Sequence, residues 1–438
     1  MIFSKYNYLF QSDENEFFLY NAMHNFFVEL TEEQYNILQD VRNNIILIEH
    51  LENDLLNQLL ENRIVVENDL DDYYKIKYQR LHTRFDESYL GLTIAPTLAC
   101  NFRCAYCYEG DIHPNIAMSD KTEEKLVEFI KKFDNVNRIA ITWYGGEPLL
   151  KIDRIKSLTK QIISINTSYS ASMITNGYLL TKNVVDELED LRIDSLQITL
   201  DGMEETHNKK RPHITKKDSF QKIIQNMEYF FSKYNNRNII IRVNIDTSNE
   251  GEYHLLYKYL TDKFPNKNLR IYPGYVTNYS QSSCNSVDCV FDRGLKSKFM
   301  LEQFEKNGIE TLDYFPAITL GECSARHINS FVIDPEGGIY KCWNDIGMKE
   351  REIGNVHLTE ITNPTLAINY LTGADPLEDM DCQNCFYFAI CYGGCPYFRL
   401  KNKFENTQRD CCAVFKGKLT EFLKTHYLKT NKLKGASK

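Results

Sequence analysis

The stretch CNFRCAYCYEG, residues 100–110, sets Cys100, Cys104 and Cys107 four and three positions apart, with Tyr106 directly before the third thiol. The same spacing would place three thiols on one face of a helix, where buried cysteine acts as a small hydrophobe. Pro96 and a strand-like run come just before, so the stretch falls where a strand hands over to a loop. Three thiolates wrapped around a loop suit an iron–sulfur cluster. A complete [4Fe–4S] site takes four cysteines. Three leave one iron open to a small ligand, and an open metal position is what a catalytic centre needs. A second group, Cys382, Cys385, Cys391 and Cys395, crowds four thiols into fourteen residues. Gly393 and Gly394 let the backbone there fold tightly. Four such ligands would hold zinc or a cluster, and spacing alone does not choose between them.

The chain has 13 cysteines in 438 residues and none in the first 99. An odd number cannot all pair internally, so metal or redox chemistry is the better reading than a disulfide framework. Hydrophobic residues make up 43% and charged residues 25%, the balance of a globular chain long enough for two or three domains. A net charge of −9 argues against a nucleic-acid partner. No apolar run approaches the roughly 20 residues that cross a bilayer. The N-terminus MIFSKYNYLFQSDENEFF lacks a basic region followed by an apolar stretch. The expectation is a cytoplasmic protein with no membrane contact.

These thiols need elements to position them. From residue 88 to about 280 strands and helices alternate. Candidate strands are LGLTIAPT, RIAITWYG, SASMITNG, SLQITLDG, NIIIRVNID and LRIYPGYV, separated by helical stretches such as KTEEKLVEFIKKF and SFQKIIQNMEYFFSKY. Repeated βα units imply a parallel sheet with helices outside it. Six units are too few for the closed eight-stranded barrel, which leaves a partial barrel or a doubly wound sheet. In both, functional residues gather at the carboxyl ends of the strands. Residues 1–85 read as a hairpin around NAMHN, a helix starting at Thr31, a further helix and a short closing strand, the outline of a small winged-helix module or of an N-terminal decoration. Beyond residue 315, SFVIDPEGGIYKCW reads as two strands around a turn. A loop-rich, cysteine-rich stretch and an amphipathic C-terminal helix follow.

The Cys-x3-Cys-x2-Cys pattern after the first strand, with Tyr106 before its last cysteine, resembles the radical S-adenosylmethionine superfamily. YGGEP at 144–148, TNG at 175–177, QITLDG at 197–202 and IRVNID at 241–246 follow in order, each at a strand end. The resemblance covers residues 88–415 and implies a partial (β/α)6 barrel. It also implies that Cys100, Cys104 and Cys107 hold the cluster that cleaves S-adenosylmethionine. Gly145, Gly146 and Glu147 would hold the amino group of the cofactor's methionine, and Arg211 would lie near its carboxylate. Tyr106, Thr175, Asn176, Gln197, Thr199, Asp201, Arg242 and Asn244 are the further cofactor contacts expected. Cys323, Gly337 and Cys342, then the four-cysteine group, then Cys411 and Cys412 resemble the SPASM extension. Relatives there bind two auxiliary [4Fe–4S] clusters, three clusters in all. Carried over, Cys382, Cys385, Cys391 and Cys412 (or Cys411) serve the outer cluster, and Cys323, Cys342 and Cys395 the inner one. The inner set lacks a fourth ligand; Ala317 occupies one place where some relatives carry it, and Cys284 and Cys289 are the spares.

The domain organisation expected is a peptide-recognition module at 1–85 and the radical SAM partial barrel at 88–282. A bridge at 283–314, a SPASM domain at 315–416 and a C-terminal helix and tail at 417–438 follow. The function implied is a peptide maturase that abstracts a hydrogen atom from a ribosomally made precursor and forms a thioether or other crosslink. Its partners would be the precursor's leader segment, added as a β-strand to the N-terminal module, and an electron donor such as flavodoxin or ferredoxin. One alternative is a sulfatase-maturase type of enzyme. Those enzymes place an aspartate directly after the second SPASM cysteine, where this chain has Trp343, with Asp345 two further on. The other alternative is a metal-binding interaction protein without turnover.

Overall fold

The computed structural model describes residues 1–107, 115–133, 135–165, 168–216, 218–277, 291–358, 360–391 and 393–436. The chain divides into two compact units, one of Met1–Phe85, Arg293–Cys323 and Ala374–Lys438, the other of Asp86–Asp292 and Ser324–Gly373.

In the first unit, β2 (Asn7–Gln11), β3 (Phe17–Asn21) and β4 (Phe26–Leu30) form an antiparallel sheet, while β1 (Ile2–Phe3) pairs with β5 (Val65–Val66). Asn25 closes the β3–β4 hairpin at φ 54°, a left-handed position that asparagine tolerates. Helix α1 (Glu32–Arg42) starts at Thr31 as the sequence predicts, and a capping box between Thr31 and Gln34 closes its first turn. Helices α2 (Asn53–Glu61) and α3 (Leu70–Arg84) follow. Residues 1–85 share their core with the C-terminal segments. Tyr6, Met23, Tyr73 and Ile76 pack on Leu377, Phe388 and Ala389. Phe10, Phe18 and Tyr20 pack on Ile390, Leu419 and Leu423. Two arginines of α3 reinforce the join. Arg80 Nη2 donates to the carbonyls of Thr319, Phe388 and Cys391 at 2.9, 3.1 and 3.1 Å. Buried Arg84 pairs with Asp375 and, at 2.8 Å, with Glu322.

The second unit is an α/β fold around six parallel strands: β6 (Tyr89–Ile94), β7 (Arg138–Trp143), β8 (Ser168–Thr175), β9 (Ile193–Thr199), β10 (Asn238–Ile245) and β11 (Leu269–Tyr275). Between them lie α4 (Asp120–Ile130), α5 (Ile152–Ile163), α6 (Lys182–Glu187), α7 (Glu204–Lys210), α8 (Ser219–Lys233) and α9 (Tyr253–Lys263). The strands stand side by side in chain order. A doubly wound sheet would reverse order at a switch point, so the core is the partial, barrel-like one. Helix α5 shows how pattern becomes packing: Ile155, Leu158, Thr159 and Ile162, at helical spacing, are its buried residues. The sheet also extends on the side of β6, which the sequence does not foreshadow. There β12 (Ser330–Ile333) runs parallel to β6, and β13 (Gly338–Tyr340) and β14 (Gly354–Asn355) add antiparallel. Among the described residues no helix is long and apolar enough to cross a membrane.

Candidate active site at the carboxyl ends of the strands

The chain leaves β6 at Ile94 and enters an irregular loop, so Cys100, Cys104 and Cys107 do not line a helix. Hydrogen bonds pin the loop on both flanks. The Thr97 hydroxyl donates to the Ile116 carbonyl at 2.6 Å. The Arg103 and Ile214 N–H groups donate to the carbonyls of Pro212 and Asn101, each at 2.9 Å. Phe102, 1% exposed, anchors the middle against Tyr178 and His213. The three thiols are partly buried. Burial, helped by the Glu147 carboxylate, pushes the Cys100 thiol up to about 12. Burial raises Cys104 as well, with Arg211 pulling the other way. Thiolates in this loop therefore need a compensating charge, which bonded iron would provide.

After β7 come Gly145 and Gly146. A Cβ on Gly145, whose φ is 115°, would stand 2.3 Å from the Thr97 carbonyl oxygen; one on Gly146 would stand 2.4 Å from those of Leu98 and Ala99. Only glycine lets this turn lie against the cysteine loop. Glu147 follows, fully buried. Its carboxylate accepts from the Thr175 hydroxyl at 2.7 Å, the Asn176 N–H at 2.8 Å and the Leu149 N–H at 3.1 Å. Burial raises its pKa, against the pull of these donors and of Arg211. A buried carboxylate so placed favours an arriving cation. Asn176 Nδ2 donates to Asn101 Oδ1 at 2.7 Å, while the buried Asn101 Nδ2 and Arg211 Nε have no protein partner. Those donors fit a site built to receive a further polar group.

The remaining strand ends converge on the Tyr106 hydroxyl. It donates to Asp201 and accepts from Arg211 Nη1 at 2.5 Å and Asn244 Nδ2 at 3.0 Å. The Asn244 N–H donates to Asp201 Oδ1 at 2.9 Å. Asp201 is raised by burial, with Arg211 opposing. Burial works against the charge of Arg211, but Cys104, Tyr106 and Asp201 outweigh it. Arg242 Nε donates to Asn244 Oδ1 at 2.8 Å, and Gln197 Oε1 accepts from the Tyr272 hydroxyl at 2.9 Å. Thr199 is buried at the end of β9. Two members escape sequence reasoning. Asn101 lies between the cysteines, where spacing assigns it nothing. Asn249 Nδ2 donates to the carbonyls of Asp201 and Asn244 at 2.7 and 2.8 Å, a role no spacing signals.

In the first unit, the loop that carries Cys391 and Cys395 packs against Cys411. The Gly393 N–H donates to Cys391 Sγ at 3.3 Å, and a Cβ on Gly394 would stand 2.6 Å from that of Cys411. Cys412 Sγ faces Lys416 Nζ at 3.4 Å. Cys411 Sγ instead faces the Arg409 carbonyl at 3.5 Å and Asn402 Nδ2 at 3.7 Å. Cys323 and Cys385 are partly buried and Cys395 is exposed. In the second unit, Cys342 ends the β12–β13 hairpin and is buried. Cys284 and Cys289 lie outside the described residues. Among the described residues, no three His, Cys, Asp or Glu side chains converge closely enough to share one metal ion. Thiolates that each take a different iron of a cluster do not need that convergence.

Residues 94–260 match the family described as the Radical SAM superfamily. The chain is 22% identical over 438 residues to the radical SAM cyclopropyl synthase TigE of Paramaledivibacter caminithermalis, with 90% of this chain and 89% of that protein covered. It is 28% identical over 358 residues to a cysteine-type anaerobic sulfatase-maturating enzyme of Clostridium novyi, covering 75% and 93%. Among solved structures, native anSMEcpe with bound AdoMet and Cp18Cys peptide superposes with a TM-score of 0.60 at 19% identity, covering 78% of this chain and 98% of that one. Streptococcus suis SuiB bound to precursor peptide SuiA gives 0.51 at 16% identity, covering 94% and 99%.

Proposed function

With residues 94–260 a radical SAM domain, we propose that this enzyme takes a hydrogen atom from a peptide or protein substrate and so modifies it. The observation that carries the reading is Glu147 itself: a buried carboxylate on a two-glycine turn that packs directly against the cysteine loop. There Glu147 would bind the ammonium of S-adenosylmethionine, and Arg211 would answer its carboxylate. Tyr106, Asp201, Asn244 and Arg242 form the hydrogen-bonded wall that orients the rest, with Thr175, Asn176, Gln197 and Thr199 on the neighbouring strand ends. Cys100, Cys104 and Cys107 would hold a [4Fe–4S] cluster. Bound together, cluster and S-adenosylmethionine would supply radical chemistry through a 5′-deoxyadenosyl radical. The chain's own residues position both and keep water away.

The C-terminal segment is proposed to be a SPASM domain with two auxiliary clusters. Cys382, Cys385, Cys391 and Cys412 serve the outer one, and Cys323, Cys342 and Cys395 the inner one. Cys412 is preferred to Cys411 because it opens the Cys-x3-Lys stretch that ends at Lys416, whose Nζ lies 3.4 Å from its sulfur. A flavodoxin or ferredoxin would supply the electron that starts turnover. Residues 1–85 are proposed as a winged-helix-like module that recognises a leader peptide. Among the described residues β4 pairs only with β3, and its other edge is where an added strand would pair. A SuiB structure that contains its precursor peptide supports a peptide substrate.

Crosslinking of a precursor fits better than sulfatase maturation. Trp343, 43% exposed and stacked on Tyr144, occupies the place where a base is expected in that reaction. Asp345, two residues on, is fully buried and accepts from the Tyr370 hydroxyl at 2.6 Å. The test is mass spectrometry of a precursor peptide encoded beside this protein and co-expressed with it. Loss of hydrogen atoms from the core segment, dependent on Cys104, is expected. An unmodified peptide together with formylglycine in a co-expressed sulfatase would give the reaction to the alternative. The leader contact is tested on the same pair. A proline in mid-leader should weaken binding more than an alanine there, because strand addition relies on backbone N–H groups.

A further inference from the structure

One arginine braces the C-terminal cysteines. Arg399 sits in the helix Pro396–Phe404, and its N–H donates to the Cys395 carbonyl at 3.0 Å. Its guanidinium reaches four partners. Nη2 meets Asp379 Oδ2 at 2.6 Å, Nε the Ala374 carbonyl at 3.2 Å, and Nη1 both the Gly393 carbonyl at 3.3 Å and Cys382 Sγ at 3.6 Å. Asp379 in turn caps the helix Met380–Gln383, accepting from the N–H groups of Asp381 and Cys382. The Gly393 N–H reaches Cys391 Sγ. One side chain, 14% exposed, thus ties together the segments that carry Cys382, Cys391 and Cys395. A strut would need only the carbonyls and the carboxylate; the fourth contact puts a positive N–H donor on a sulfur. A second cation does the same nearby. Lys416 Nζ lies 3.4 Å from Cys412 Sγ, and Arg293 Nη1 holds the Lys416 carbonyl at 2.7 Å.

Resting on the reading that Cys382, Cys385, Cys391 and Cys412 hold an auxiliary cluster, we propose that Arg399, seconded by Lys416, sets that cluster's reduction potential. A four-thiolate cluster becomes one charge more negative when it takes up an electron. Positive charge and N–H···S contacts stabilise that reduced form more than the oxidised one, and such contacts are among the levers that set a cluster's potential. Arg399 is well placed for this role because its planar fork cannot lose its proton and its low exposure limits screening. The two cations make this cluster an easier electron acceptor than the same four thiolates alone. Arg399 touches no substrate; it is a positioning residue for charge.

The experiment uses the full chain, anaerobically reconstituted, with Cys100, Cys104 and Cys107 changed to Ala so that only auxiliary clusters contribute. Reduction by dithionite is followed by electron paramagnetic resonance, and the component absent from the Cys385→Ala variant identifies the cluster. In Arg399→Gln, iron per chain should match the parent. At the parent's midpoint, the ratio of reduced to oxidised cluster should fall about tenfold, which for one electron is about 59 mV. Arg399→Lys should recover part of the shift. Lys416→Gln, at an exposed side chain, should move the midpoint the same way by less. Unmoved or raised midpoints at full iron content overturn the proposal. If Arg399→Gln sheds iron, Lys416→Gln decides, and an unmoved midpoint there overturns it. A parent without auxiliary iron overturns the cluster reading beneath it, an outcome distinguishable from full iron with an unmoved potential.

Discussion

Replacing Glu147 with Gln keeps the side chain's shape and removes its charge. In the native site Oε1 accepts from the Thr175 hydroxyl and the Leu149 N–H, and Oε2 from the Asn176 N–H. A hydroxyl can rotate to accept, but a backbone N–H cannot. Whichever way the new amide points, its NH2 meets one of the two backbone donors, and that donor loses its partner. An unsatisfied buried group costs about 1–3 kcal/mol, so the empty protein loses part of its stability. On the ligand side, the variant would forfeit the charge-assisted hydrogen bond proposed between Glu147 and the ammonium, worth about 1.5–3 kcal/mol. That is a loss of about 10- to 150-fold in affinity for S-adenosylmethionine. Anaerobic calorimetric titration of reconstituted protein measures it. The pH dependence gives a second check. Burial raises the Glu147 carboxyl above its ordinary value of 4.5. For the empty fold, the stability linked to this group is fully present below the unfolded carboxyl's pKa and is lost as pH rises through the raised one. Cofactor affinity runs the opposite way, falling as pH drops through the raised value, because an ammonium needs the carboxylate. Glu147→Gln should flatten both profiles. Equal affinity in the two proteins, with matching pH profiles, would refute the placement of the ammonium at Glu147.

Cys104→Ala should abolish 5′-deoxyadenosine production while leaving C-terminal iron bound, as chromatography of quenched reactions and iron analysis would report. Reconstituted wild-type protein should carry ~12 iron atoms, and Cys385→Ala about a third fewer, by the cysteine ligation of [4Fe–4S] clusters; four irons and a zinc would contradict this. Arg84→Met should lower stability by about 3–5 kcal/mol, since it strands Asp375 and Glu322 in a buried site. Chemical denaturation measures that loss, and a change below about 1 kcal/mol would mean the pair is no better than a surface one.

The order of strands and helices in the second unit was legible because each element is amphipathic at its own period. The six strands appear where runs such as IIIRV and IAITW predict them. The cysteine loop, the two glycines and Glu147 were legible for a different reason: ligation and close backbone approach demand particular residue types at short spacing. Some decisions lay beyond any local window. Asn249 and Tyr272 enter the site from late strands and loops, and only the parallel stacking of β9, β10 and β11 brings them to residues 197–201 and 244. Strand β12 joins the sheet beside β6 although some 230 residues separate them. Arg80 and Arg84 look like solvated charges on the protein surface; their burial against Thr319, Glu322, Asp375, Phe388 and Cys391 follows from a core that residues 1–85 complete with the C-terminal segments. Arg399 reads as one more basic residue until the fold folds Asp379, Gly393 and Cys382 around it. Sequence pattern reports what each residue needs locally, namely a face, a cap or a ligand. Which distant groups meet those needs depends on chain crossings and shared cores, and these are set only when the whole chain has packed.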